Sequence, residues 1–213
     1  MMKKLTEAMD YGLSKGCDDV ELYIEKSQDL EVELRNGKID KYQESKSKGI
    51  GVRVIKGKRQ SLVYGTSDDN KDIISAIDEA LEIIQYMDED EIVLGENDQY
   101  AGEIDYKGIE ESTFEQKMDF LTRQEKDGIG EEKVKATVES TSYQENKYSK
   151  RIVNTRGLDK TESGAYCGSS ISLAISQNNT NETGYSYFYT RDIDGLFRQN
   201  LGTEAYERAY EMI

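Results

Sequence analysis

Ile50-Gly51-Val52-Arg53-Val54-Ile55-Lys56-Gly57-Lys58-Arg59-Gln60-Ser61-Leu62-Val63-Tyr64-Gly65 is the stretch that decides the fold class. Ile50, Val52 and Val54 recur with the two-residue period of a strand that buries one face. Lys56-Gly57 offers a turn, because glycine adopts positive φ without steric cost. Leu62, Val63 and Tyr64 then carry a returning strand. Working back toward the N-terminus, Val20, Leu22 and Ile24 alternate, and so do Leu30, Val32 and Leu34. Asn36-Gly37 is a strong tight-hairpin signal, and the strand after it carries Ile39. With Arg59 to Gly65 as the fourth strand, this half predicts an antiparallel meander with one buried face.

Helical patterns flank these strands. Leu5, Ala8, Met9, Gly12 and Leu13 share one face over residues 3–15, and Gly16 is a natural stop. Ser67 and Asp68 are suited to cap a helix that aligns Ile73, Ile77, Ala80, Leu81 and Ile84. The acidic run Asp88-Glu89-Asp90-Glu91 closes the first half, and residues 92–111 read as a connector. Ser112-Thr113-Phe114-Glu115 fits a capping box for a helix bearing Phe114, Met118 and Leu121, which Asp127-Gly128 and Gly130 end. Strand signals then return at Val134, Ala136 and Val138, at Ile152-Val153 before the turn Asn154-Thr155-Arg156-Gly157, at Ile171, Leu173 and Ile175, and at Tyr185, Tyr187 and Tyr189. Thr203 can cap a last helix carrying Tyr206, Ala209, Tyr210 and Ile213. The expected class is α+β, with antiparallel sheets flanked by helices. Two helix–four-strand–helix halves are expected, 1–91 and 112–213, joined by the connector 92–111.

The balance of 28 Lys and Arg against 43 Asp and Glu gives a formal charge of −15, which repels phosphate backbones and argues against direct nucleic-acid binding. The densest basic group, Lys46, Lys48, Arg53, Lys56, Lys58 and Arg59, is divided between alternating strand faces. Cys17 and Cys167 are far apart and form no CxxC, as expected of reduced thiols in a cytoplasmic protein. Glu7 and Asp10 interrupt any signal-peptide core, and no stretch reaches the roughly 20 apolar residues of a membrane span. The sequons at Asn178-Asn179-Thr180 and Asn181-Glu182-Thr183 carry weight only in a secreted chain.

The sequence contains no histidine, so it can build no Ser-His-Asp or Cys-His arrangement and no HExxH zinc site. Gly49-Ile50-Gly51 lies in strand context rather than before a helix, which argues for a bend or a close backbone approach over a dinucleotide loop. Asp88 to Glu91 lack the glycine and the distal glutamate of a calcium loop. Tyrosines number 15 against 4 phenylalanines and no tryptophan. Tyr185, Tyr187 and Tyr189 share a strand face, which suits either an interface or a half-buried sheet surface.

Asp19-Val20-Glu21, Asn36-Gly37-Lys38-Ile39, Ser47-Lys48-Gly49-Ile50-Gly51-Val52-Arg53-Val54 and Tyr64-Gly65-Thr66-Ser67-Asp68 resemble the N-terminal domain of the TldD/PmbA family. Ile152-Val153-Asn154-Thr155-Arg156-Gly157 resembles the strand and turn before that family's long hairpin, and Glu204-Ala205-Tyr206-Glu207-Arg208-Ala209 the helix leading to its C-terminal domain. The resemblance spans nearly all of residues 1–213, and Gly-Ile-Gly-Val-Arg-Val is its most specific piece. The segment after residue 86 is closer to the PmbA-like (TldE) branch. The resemblance implies a cytoplasmic protein about twice this length that works as a paired complex. A TldD-type partner would carry a histidine- and glutamate-based zinc site in its C-terminal half. The pair would act on unfolded peptides in maturation or degradation, and an older family label connects it with modulation of DNA gyrase. No catalytic residue of the family transfers to any position here. No cofactor is expected in this chain, and zinc is implied only in the partner or in a C-terminal half beyond Ile213.

Three readings follow. The first is a non-catalytic domain or subunit that pairs with a TldD-type partner or a second copy and holds an extended peptide along a strand edge. Arg53, Asn154, Arg156, Tyr185, Tyr187 and Tyr189 are its candidate contacts. Structural roles compete at Arg53, Asn154 and Arg156: Arg53 can pair with an acidic neighbour, and Asn154 with Gly157 can build the turn that contains Arg156. The second reading is a free-standing binding or adaptor protein without protease activity. The third is an enzyme built on carboxylates and tyrosines alone, for which no acid–base pair can be named.

Overall fold

The computed structural model describes residues 2–96, 104–130, 134, 136–177 and 179–213. Helix α1 (Met2–Ser14) precedes strands β1 (Asp19–Arg35), β2 (Lys38–Lys56) and β3 (Arg59–Gly65), then helix α2 (Asn70–Ile84). After α3 (Phe114–Ile129) come β4 (Ala136–Asn154), β5 (Asp159–Gln177) and β6 (Thr180–Thr190), and helices α4 (Ile193–Phe197) and α5 (Leu201–Tyr210). The six strands form an antiparallel sheet in the order β3-β2-β1-β4-β5-β6. The α+β class read from the sequence is therefore the class observed. Among the described residues no helix is long and apolar enough to cross a membrane, which leaves open what strands could do.

Val20–Ile24 and Leu30–Leu34, read as separate segments, lie on the single strand β1. Residues 25–29 contain no glycine or proline, so nothing interrupts the extended backbone. The turn at Asn36-Gly37 forms as expected, with φ of 56° and 70°. Lys56 pairs with Arg59, which puts Gly57 (φ 63°) and Lys58 in the next hairpin loop. Ile39 is half-exposed rather than buried.

The chain folds into two compact units, each drawn from three segments, and β1, β2, β4 and β5 contribute residues to both. The first comprises 1–27, 46–104 and 148–163. Its core joins Leu5 and Ala8 of α1, Val20, Leu22 and Ile24 of β1, Val52 and Val54 of β2, and Ile73, Ile77 and Ala80 of α2. The second comprises 28–45, 105–147 and 164–213. There Val32 and Leu34, Phe120 and Leu121 of α3, Ile171, Leu173 and Ile175 of β5, and Leu201, Ala205 and Ala209 of α5 pack together. Residues 97–103 of the expected connector lie outside the described residues, as do 131–133, 135 and Asn178 of the first sequon.

Three helix starts differ in register from the sequence reading. The N-cap of α2 is Asp69, because Asp68 is drawn to Lys48 and Lys26 and Ser67 Oγ accepts from Asp69 N. The capping box of α3 is Thr113 with Gln116, one residue later than read, because Ser112 Oγ instead donates to the Ile109 carbonyl at 2.8 Å. Asn200 is the N-cap of α5, which places Thr203 inside the first turn. Gly49 and Gly51 admit no close backbone neighbour, and neither has positive φ.

Candidate functional site

Arg53, Asn154 and Arg156 meet around two carboxylates of β1 in the first unit. Arg53 Nη1 donates to Glu21 Oε1 at 3.1 Å, its Nε to Gln60 at 2.8 Å, and its Nη2 to the Val93 carbonyl at 3.4 Å. Arg156 holds Asp19 Oδ2 through Nη2 at 2.7 Å and Nε at 3.1 Å. Hydrogen bonding from Arg156, working against burial and helped by Thr155, keeps the Asp19 carboxyl below its ordinary pKa. Asn154 is 3% exposed, and its Oδ1 accepts from the backbone N–H groups of Arg156 (3.0 Å) and Leu158 (3.1 Å). Its Nδ2 donates to the Gly95 carbonyl at 2.9 Å, and Gly157 completes the turn at φ 87°. These groups organise the turn and anchor the segment at Val93–Gly95. Asn154→Ala leaves three backbone groups without their partner. It is expected to destabilise the protein by about 2 kcal/mol, measured by urea unfolding, with an isosteric Asp worse because of Glu21. A change below about 0.5 kcal/mol would mean the turn stands without the amide.

Tyr185, Tyr187 and Tyr189 lie in the second unit, on β6, the last strand in the sheet order, which among the described residues is partnered by a strand on one side only. They are 50, 60 and 48% exposed, whereas Gly184 and Ser186 on the alternate face of the strand are buried against α5. The ring centroids step along the strand at 5.7 and 6.4 Å. Across the ladder, Tyr185 faces Ser172, Tyr187 faces Ser170 and Tyr189 faces Gly168. The rings therefore stand beside a floor of small residues. Tyr189 reaches over that floor: its hydroxyl donates to Gln144 Oε1 at 2.9 Å, and any Cβ on Gly168 would overlap its ring. Burial, then the neighbouring phenols and Glu31, push the Tyr189 hydroxyl up, so it stays protonated at neutral pH. At the start of the tyrosine row, Arg208 donates to the Tyr185 carbonyl at 2.6 Å. Beyond its end, a short parallel bridge joins Lys107 to Asp192.

The sequence reading missed this floor. Gly168, Ser170 and Ser172 alternate with Ile171 and Leu173, so a small-residue face on β5 was visible in principle. Which of them would oppose each tyrosine was not, because register across a hairpin is a tertiary property.

A buried ionic cluster in the second unit was also missed. Lys117 donates to Glu145 Oε2 at 2.7 Å and Tyr143 Oη donates to the same oxygen at 2.8 Å, while Lys147 lies 3.3 Å from Oε1. Burial pushes the adjacent Cys167 thiol up to about 12, so it is protonated and not a nucleophile at neutral pH. Both cysteines are free and buried. Among the described residues no group of three or more His, Cys, Asp or Glu side chains is placed to hold a metal ion. An open cavity of about 810 Å³ beside α2 is lined by Lys15, Lys56, Arg59, Asp78, Leu81 and Gln85, among others, with the Asp78 carboxylate taken by Tyr11.

Comparison with known proteins agrees with this architecture. The sequence matches the profile of the PmbA/TldA metallopeptidase domain 1 over residues 20–84 and that of the PmbA/TldA metallopeptidase central domain over residues 107–213. These define the class, two successive domains of a metallopeptidase architecture. The chain belongs to the PmbA/TldD family. No curated protein sequence matched. Among solved structures, a candidate modulator of DNA gyrase from Thermotoga maritima superposes with a TM-score of 0.85 at 17% identity, covering 100% of this chain and 48% of that one. A second such candidate, from Bacteroides thetaiotaomicron, gives 0.82 at 18% identity, covering 98% and 49%. TldE from Thermococcus kodakarensis gives 0.76 at 20% identity, covering 98% and 46%. At these identities the superpositions establish the fold alone. The chain spans about half the length of these structures.

Proposed function

We propose that this chain is a non-catalytic part of a PmbA/TldD-type metallopeptidase complex, which pairs with a TldD-type partner or a second copy and holds an unfolded peptide in extended form. The observation that carries the reading is β6, a sheet edge with an exposed tyrosine row. Backbone groups at such an edge can bind an added strand with little sequence preference, and rings along it supply contact area at low entropic cost. Family membership supports the metallopeptidase context. The 213 residues contain no histidine, so any histidine-held zinc in such a complex would take its histidines from outside these residues. A cytoplasmic setting suits the two free, buried thiols.

The reading is tested with the 213-residue chain and a fluorescently labelled unstructured peptide, followed by anisotropy. Saturable binding that a folded protein does not compete for is expected, with no cleavage by this chain alone. Tyr187→Ser should weaken the complex several-fold while leaving the thermal midpoint nearly unchanged, since the ring is exposed. Absence of saturable binding would overturn the peptide-holding role and favour an adaptor that engages folded partners only.

A further inference from the structure

We propose that the tyrosine-bearing face of the second unit selects cationic segments, unfolded peptide rich in lysine or arginine, with side-chain cations placed over Tyr185, Tyr187 and Tyr189 and against Glu33 and Glu139. The proposal rests on the peptide-holding reading above and names its substrate class.

The face has the chemistry of a cation receptor. Three half-exposed phenol rings about 6 Å apart offer π-faces along one strand, and a cation within about 6 Å of such a ring is attracted by its quadrupole. Opposite Tyr185 and Tyr187 the floor is Ser172 and Ser170, whose side chains are small, while the ring of Tyr189 covers Gly168. Carboxylates surround that floor. Ser172, opposite Tyr185, donates to Glu139 Oε2 at 2.9 Å, which places this carboxylate on β4, across β5 from the tyrosine row. Glu31 and Glu33 share the face of β1 opposite the buried Val32 and Leu34, and the charge of Glu31 is among the causes that push the Tyr189 hydroxyl up.

Cations of the same region are held already. Lys41 pairs with Glu31 at 2.6 Å, and Arg35 Nε donates to the Glu139 carbonyl at 2.9 Å. Glu33 and the Glu139 carboxylate have no ion pair among the described residues. A net charge of −15 adds a long-range field that draws cations and repels acidic or phosphorylated chains. Neutral sugars also stack on tyrosine, but the carboxylates would give them no advantage over other polar ligands.

The test compares two short unstructured peptides of equal length, one alternating lysine with alanine and the other serine with alanine, by anisotropy against the 213-residue chain. The cationic peptide should bind about tenfold tighter at low ionic strength, and the gap should close in roughly 0.5 M salt as the charges are screened. Tyr187→Leu keeps apolar area but removes the π-face. It should weaken the cationic peptide about threefold and leave the neutral one unchanged. The pair Glu33→Gln and Glu139→Gln should act in the same direction, whereas Asp88→Asn with Glu89→Gln, on the separate acidic run, should not. Equal binding of both peptides would overturn the cationic selectivity and leave peptide holding intact. Failure of both to bind would overturn the peptide reading itself. A cationic preference that survives Tyr187→Leu and the Glu33/Glu139 variant, or that Asp88→Asn with Glu89→Gln abolishes, would place it elsewhere and overturn the assignment of this face.

Discussion

Lys117→Met is expected to destabilise the protein by about 3 kcal/mol at neutral pH, because it strips a buried carboxylate of its main counter-charge. Both side chains of the Lys117–Glu145 pair are 7% exposed. Burial opposes ionisation of Glu145, yet the hydrogen bonds from Lys117 and Tyr143 and the charges of Lys117 and Lys147 outweigh it. The carboxyl is therefore held below its ordinary pKa. A depressed folded-state pKa contributes stability that is complete above the unfolded value and is lost as pH falls through the folded one. The penalty of Lys117→Met should accordingly be full at pH 7 and smaller at an acidic pH below the ordinary carboxylate range, because Glu145 deprived of Lys117 takes up its proton first and the parent loses its stabilisation only at lower pH. Lys147, 3.3 Å from the other oxygen, keeps the loss toward the lower end of the range for broken buried pairs. Urea titrations followed by circular dichroism at the two pH values read this out. The double variant Lys117→Met, Glu145→Leu should recover part of the loss, since no charge remains buried. A single-variant penalty below about 1 kcal/mol, or one that grows on acidification, would show that the pair is solvated.

Gly184→Ala should cost about as much, roughly 3 kcal/mol, by a steric route. Gly184 lies on β6 under α5, and a methyl group there would overlap the Ala205 carbonyl oxygen and approach the Ala209 methyl at 3.0 Å. The obstacle is helix backbone rather than the flexible end of a side chain, so α5 itself must move. Thr183→Ala, next door and exposed, should stay within about 0.5 kcal/mol of the parent. Thermal unfolding of both variants decides it, and a Gly184→Ala midpoint equal to the parent's would mean that α5 is free to shift away from β6. Gly202→Ala offers an independent check on α5, because its methyl would overlap the Gln124 carbonyl of α3.

These two sites show where sequence reading reaches its limit. Lys117 follows a helical pattern that reads as polar surface, and nothing local announces that it faces Glu145 and Tyr143, which arrive from β4. Gly184 reads as an unremarkable strand glycine until α5 is laid across it. Arg53 and Asn154 were legible in kind, an acidic partner and a turn, because short-range chemistry limits the choices. The identity of Arg53's partner, Glu21 of β1, was not legible.

What the sequence determined by itself is local. Alternating apolar residues required strands, Asn36-Gly37 and Gly57 required turns with positive φ, and 3.6-residue spacing required the apolar faces of α1 and α2 but not that of α3, where Lys117 and Gln124 are buried and Phe114 is exposed. The absence of histidine excluded histidine-based catalysis from these residues. Strand order and register were decided only by the tertiary structure, as was the setting of Tyr185, Tyr187 and Tyr189 beside Gly168, Ser170 and Ser172. Periodicity fixes which side chains share a face. Which faces meet depends on burying apolar area and pairing charge among segments more than 100 residues apart, as Asp19 and Arg156 are, and no local pattern records that distance.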